Sequence, residues 1–158
     1  MLYPIGIQNF EDIRRGGYVY VDKTGLIYKL AATGKYYFLS RPRRFGKSLL
    51  VSTMEAYFQG KRELFEGLAI ESLEKDWVEY PVLHFDLGGE SYNDESALDV
   101  TLSQHLANME TKFGVTRRFD SYPARFKDVI DAAYGKTGRQ VVILIDEYDK
   151  PVIDNLDR

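Results

Sequence analysis

Ser40-Arg41-Pro42-Arg43-Arg44-Phe45-Gly46-Lys47-Ser48 joins a short apolar run, Tyr36-Tyr37-Phe38-Leu39, to a segment with helical spacing. In that segment Leu50, Val51, Met54, Tyr57 and Phe58 recur on one face, and Gly60 closes it. A strand, a tight turn and a helix in this order aim backbone N–H groups and the positive end of the helix at an anion. Gly46-Lys47-Ser48 supplies the second half of the phosphate-loop signature G-x-x-x-x-G-K-[ST]. In that signature the lysine reaches the terminal phosphates and the hydroxyl ligates magnesium. The nucleotide-binding candidates are therefore Arg43, Arg44, Phe45, Gly46, Lys47, Ser48 and Leu49, with Ser48 also a metal ligand. The first glycine of the signature falls on Arg41. Glycine tolerates backbone angles that a side chain resists, so the loop must open with a different shape.

Five consecutive aliphatic residues, Val141-Val142-Ile143-Leu144-Ile145, predict a central parallel strand covered on both faces. Asp146 ends that strand, where a Walker B aspartate would hold magnesium, and Glu147 follows, placed to polarise a water. The catalytic candidates are Glu147 and Lys47, the metal ligands Ser48 and Asp146. The chemistry expected is in-line attack on a γ-phosphate, carried by positioning and charge stabilisation without a covalent enzyme intermediate.

Outward from these two motifs, strand and helix signals alternate. Tyr18-Val19-Tyr20-Val21 reads as a strand, and Asp22 as the cap of a helix carrying Leu26, Ile27, Leu30 and Ala31 up to Gly34. Leu64, Phe65 and Leu68 suggest a short helical turn, and Pro81–Asp86 a buried strand. Leu98, Leu102, Leu106, Met109 and Phe113 make one helical stripe ended by Gly114. Ser121-Tyr122-Pro123 opens another helix with Phe126, Val129, Ile130 and Ala133 on its apolar face and Gly135 at its end. Strands separated by helices predict an α/β fold: one domain over 1–158, a three-layer P-loop NTPase sandwich with a mostly parallel sheet.

Composition narrows the function classes. The 158 residues include no cysteine and two histidines, His84 and His105, which excludes disulfides and thiolate metal sites and argues against structural zinc. No apolar run approaches the ~20 residues of a membrane helix, and the first residues carry no signal-peptide pattern; a cytoplasmic setting is expected. Net charge is −3, from 21 basic and 24 acidic residues, which gives no support to a duplex-DNA binder. His84, His105 and Trp77 are expected to pack. Asp86 ends a strand and is a weaker candidate for assisting magnesium or water; Asp149 and Lys150 could sense nucleotide state.

Four segments, Ile7–Arg14, Tyr20–Thr24, Phe38–Leu50 and Ile145–Asp149, resemble the AAA-ATPase-like family of bacterial and archaeal proteins. The resemblance covers essentially the whole chain, and Arg-Pro-Arg-Arg-Phe-Gly-Lys-Ser is its most distinctive part. It implies ATP and Mg2+ as cofactors, an arginine as the normal residue where the first loop glycine is expected, and a longer protein with a C-terminal domain resembling PD-(D/E)XK nucleases. On that expectation these residues are the front part of a domain. The sheet is truncated after the Walker B strand, lacks the strand carrying the sensor residue, and leaves Val142 and Leu144 poorly covered and an edge open to homo-oligomer pairing. Three functions follow as alternatives: an ATP-hydrolysing module driving conformational change, a catalytically degenerate nucleotide-responsive interaction domain, or a nucleic-acid contact module using Arg41, Arg43 and Arg44. No motif separates ATP from GTP.

Overall fold

Asn9 starts the first helix, α1 (Phe10–Arg15), by accepting the Asp12 amide with its side chain, and acidic and basic residues fall at the ends the helix dipole favours. The computed structural model describes residues 2–3, 9–33, 47–87 and 95–146; the side chains of residues 30, 32–33, 47–48, 95–98 and 146 lie outside that description. The chain forms two units, Met1–Glu79 and Tyr80–Arg158.

In the first unit α1 packs on α3 (Lys47–Phe58). The fully buried Phe10 meets the rings of Tyr20 and Phe65, and the otherwise unsatisfied Phe10 amide donates to Ser52 Oγ at 2.9 Å. The predicted Leu64–Phe65 turn is a 3₁₀ segment, Arg62–Phe65, with both residues buried. Gly60 closes α3 at a φ of +72°, and a Cβ there would lie 2.9 Å from the Trp77 carbonyl, so both conformation and space require glycine.

Asp22 does more than cap α2 (Thr24–Thr33). Its Oδ1 accepts from the Thr24 amide and hydroxyl, at 2.9 and 2.6 Å, while Oδ2 accepts the Ala69 amide at 2.7 Å. Thr24 Oγ1 in turn accepts the Ile70 amide at 3.1 Å. Two orphan donors at the start of α4 (Ala69–Leu73) are thereby satisfied by residues 22 and 24. Burial pushes the Asp22 carboxyl up, but the Thr24 hydroxyl, the two amides and Arg14 outweigh it and hold it below the usual carboxylate range. Of the strand expected at 18–21, the described residues show one parallel bridge, Leu2 to Tyr18. Among the described residues that run finds no further ladder partner: Tyr20 serves the α1 core, and Val21 is 71% exposed.

The second unit runs β1 (Val82–Asp86), α5 (Glu95–Lys112), α6 (Tyr122–Thr137) and β2 (Val142–Asp146). The strands pair in parallel, Val82 opposite Val142 through Asp86 opposite Asp146. Leu83, Phe85 and Leu87 close a core with Leu106, Met109, Phe113, Val129 and Ala133. The chain is thus an α/β protein with a small parallel sheet. Ser121 caps α6 as expected, but the helix runs through Gly135 to Thr137, and Gly138, at φ 64°, ends it by donating to the Tyr134 carbonyl at 2.7 Å. Gly135 keeps right-handed geometry because the helix can continue until a residue able to adopt the left-handed conformation ends it.

Coverage of β2 is the reverse of the expectation. Leu144 is buried and Val142 half-buried, whereas Ile143 and Ile145 are 38% and 41% exposed. Alternation puts Ile143 and Ile145 on the same face as their partners Leu83 and Phe85. The α5–α6 core closes over that face at β1 and leaves much of it open at β2, so β2 is not covered on both faces within the described residues.

Candidate functional site

α3 is described over Lys47–Phe58, so Lys47 and Ser48 lie in its first described turn. Their side chains lie outside the described residues, as do Arg41, Arg43, Arg44, Phe45 and Gly46 in full. The turn that follows is described, and it is tightly held. Leu49 is half-buried, and its carbonyl accepts from the Ser52 and Thr53 hydroxyls at 3.0 and 2.6 Å. Ser52 also accepts the Phe10 amide, while Tyr20 reaches Thr53 with its hydroxyl. Burial pushes that phenol above its usual range, against the hydrogen bonds with Thr53 and Lys23. Thus α1 and the 18–24 segment brace the first two described turns of α3, the helix that includes Lys47 and Ser48. The described part of the first motif, Asn9–Arg14, and the segment Tyr20–Thr24 act here as scaffold.

Asp146 is the last residue of β2 and the register partner of Asp86, which is exposed. Both stand at the carboxyl ends of parallel strands, the end at which open α/β sheets bind ligands. His105 Nε2 lies 2.9 Å from the Asp86 carbonyl, which can only accept, so Nε2 carries the proton and the ring is held against Phe85. That is the packing role expected of His105. The side chain of Asp146 and the whole of Glu147, Asp149 and Lys150 lie outside the described residues. Lys47, Ser48 and Leu49 belong to the first unit and Asp86 and Asp146 to the second. Among the described residues no group of three or more His, Asp or Glu side chains could hold a metal ion.

Sequence reasoning passed over Ser52, Thr53 and the ion pair between Arg125 and Glu110. The first two carried a usable signal: hydroxyls on a helix bond to carbonyls one turn back, and their positions adjoin the apolar stripe.

Helices and a small parallel sheet, whose described strand β2 reaches Asp146, define an α/β protein, and its sequence carries Gly46-Lys47-Ser48. Residues 4–158 match the family described as Predicted AAA-ATPase, and the chain belongs to this AAA-ATPase-like family. It is also similar to a protein of Azotobacter chroococcum mcd 1 described as "Uncharacterized protein in vnfD 5'region", at 44% identity over 157 residues. That match covers 98% of this chain and 30% of the relative, so the chain spans less than a third of the relative's length. No solved structure matches the chain. Among the described residues, no helix is long and apolar enough to cross a membrane.

Proposed function

We propose that this chain is an ATP-binding, magnesium-dependent ATP-hydrolysing module, built as a three-layer P-loop sandwich, that drives conformational change in a larger protein. The observation that carries this reading is that Lys47 and Ser48 lie in the first described turn of α3, so Gly46-Lys47-Ser48 leads into a helix as the signature requires. Membership of the AAA-ATPase-like family supports a nucleotide, and ATP in particular.

In this proposal Lys47 neutralises the terminal phosphates, and the backbone from Arg43 to Leu49 cradles them. Ser48 and Asp146 offer a hydroxyl and a carboxylate, hard oxygen donors of the kind magnesium selects, and the ion would offset charge on the phosphate oxygens when bound. The pairing of Asp86 with Asp146 adds a second carboxylate at the same strand ends, which fits a cation there. Glu147 accepts a proton from the attacking water or orients it. The larger protein supplies the nuclease-like C-terminal partner, and a cytoplasmic setting and homo-oligomerisation belong to the same proposal.

Arg41 at the first loop glycine favours a second reading, a catalytically degenerate domain that responds to nucleotide without turning it over. Substituting Glu147→Gln separates the two. The amide keeps shape but is a poor base, so ATP binding should persist while turnover falls by ~10²-fold or more. A wild-type protein that binds ATP without measurable steady-state hydrolysis favours the degenerate domain. Hydrolysis by the mutant at the wild-type rate removes Glu147 from the mechanism. A nucleic-acid contact role for Arg41, Arg43 and Arg44 would need DNA binding that falls steeply with salt.

A further inference from the structure

Trp77 is the one described non-glycine residue with positive φ, at 46°. For a bulky side chain this is a strained conformation that surrounding contacts must impose. Those contacts come from Tyr57 near the C-terminal end of α3, from Phe65 in the 3₁₀ segment and from Glu74 at the end of α4. The Trp77 indole stacks edge-on against Tyr57 with centroids 5.9 Å apart, and lies 5.2 Å from the Phe65 ring. The Tyr57 hydroxyl donates to Glu74 Oε2 at 2.5 Å, and Glu74 Oε1 accepts the Asp76 and Trp77 amides at 3.1 and 3.4 Å. The Trp77 carbonyl is drawn over Gly60, where no side chain fits. Yet Trp77 Nε1 is buried with no hydrogen-bond partner among the described residues. A strained backbone and an unsatisfied indole donor both favour leaving this state, while Tyr57 and Glu74 hold it. Opposed terms of this kind are what an element with two arrangements requires.

We propose that residues 74–79 form a conformational latch on α3, closed by Tyr57 and Glu74, that opens when α3 shifts under a nucleotide phosphate at its N-terminus. The proposal rests on the phosphate site at Lys47 and Ser48. Tyr57 lies about 15 Å along the helix axis from Lys47, and a packed helix carries a displacement of one end to the other as a rigid body. The latch leads directly into Tyr80, where the second unit starts, so its release changes the segment through which the first unit is tethered to the rest of the chain.

The test uses the full-length protein, with the Trp77→Phe spectrum subtracted to isolate emission from Trp77. Magnesium-ATP should shift that emission to longer wavelength and raise its quenching by acrylamide, and Lys47→Ala should abolish both. Tyr57→Phe, which removes only the latch hydroxyl, should give the red-shifted, quenchable emission without nucleotide while binding magnesium-ATP and keeping wild-type helix content by circular dichroism. If calorimetry shows magnesium-ATP bound by the wild type while Trp77 emission stays unchanged, the latch is overturned and the phosphate site stands. If calorimetry shows no binding, both fall. A Tyr57→Phe spectrum identical to the closed wild type also overturns the latch.

Discussion

The two units solve one problem, docking helices onto their neighbours, with different chemistry. In the first, side chains bind helix ends. Asp22 and Thr24 hold the start of α4, Ser52 holds the start of α1, and Arg14 Nε donates to the Leu64 carbonyl at 2.8 Å. Lys61 and Arg15 flank Glu11 and hold its carboxyl below the usual range. In the second, an apolar layer does the docking around the one buried ion pair found among the described residues. Arg125, 1% exposed, donates to Glu110 at 2.8 and 3.3 Å and to the Ser103 hydroxyl at 3.1 Å, tying α6 to α5. The first unit therefore depends on many modest polar contacts near water, and the second on burial plus one pair that must stay complete.

The largest effect is expected at that pair. Replacing Arg125 with methionine strands the Glu110 carboxylate in the core and should cost ~3–5 kcal/mol in denaturant unfolding. Adding Glu110→Leu should recover most of it, since an apolar pair of similar volume needs no compensation. A single mutant as stable as wild type would show that the pair is solvated in solution and that the contrast between the units is overdrawn.

Breaking the first unit takes less. Asp22→Ala frees the Ala69 amide and the Thr24 clasp and should cost ~1–2 kcal/mol, the usual value of a lost cap. The same residue makes this unit acid-sensitive. Its carboxyl titrates lower folded than unfolded, so as pH falls the unfolded chain takes up the proton first. The stabilisation is therefore complete above the unfolded pKa and drains away as pH drops below about 4. Asp22→Asn should flatten that part of the stability profile; an unchanged acid limb in the mutant would assign it to other carboxylates.

The smallest effect is a gain. Gly135 lies in the last two turns of α6 with open space where a Cβ would go, so Gly135→Ala should raise stability by about 0.5–1 kcal/mol. A loss on thermal melting would mean that α6 ends before that residue.

Gly135 also illustrates what the sequence could convey. Both Gly135 and Gly138 are sound stop signals by composition, and only backbone geometry distinguishes the glycine in the left-handed region from the one the helix passes through. The α5 stripe, the α3 stripe and the two strands were legible because burial imposes a period on one chain segment. Tyr18–Val21 is seen only as a bridge to Leu2 among the described residues, since a strand also needs a partner and pairing is not written locally. Arg125 was passed over although it sits four residues before Val129 and eight before Ala133, on the buried face of its own helix. A charge at a core position, matched by Glu110 beside the α5 stripe, is a signal sequence alone can offer. Of the site, Lys47 and Ser48 fall within α3 and Asp146 within β2, and their side chains lie outside the described residues. The bracing of α3 by Ser52, Thr53 and Tyr20 depends on contacts between distant segments, and no spacing rule announces it.

The most direct measurement is calorimetric titration of magnesium-ATP into the wild-type protein and into Lys47→Ala. Helix N-terminal amides alone cannot balance the charge of a triphosphate, and the lysine adds charge-assisted hydrogen bonds to its terminal oxygens. The wild type should bind, and the mutant should show no detectable heat of binding while keeping the wild-type melting temperature. Equal affinity in the two proteins would contradict a phosphate site at the start of α3.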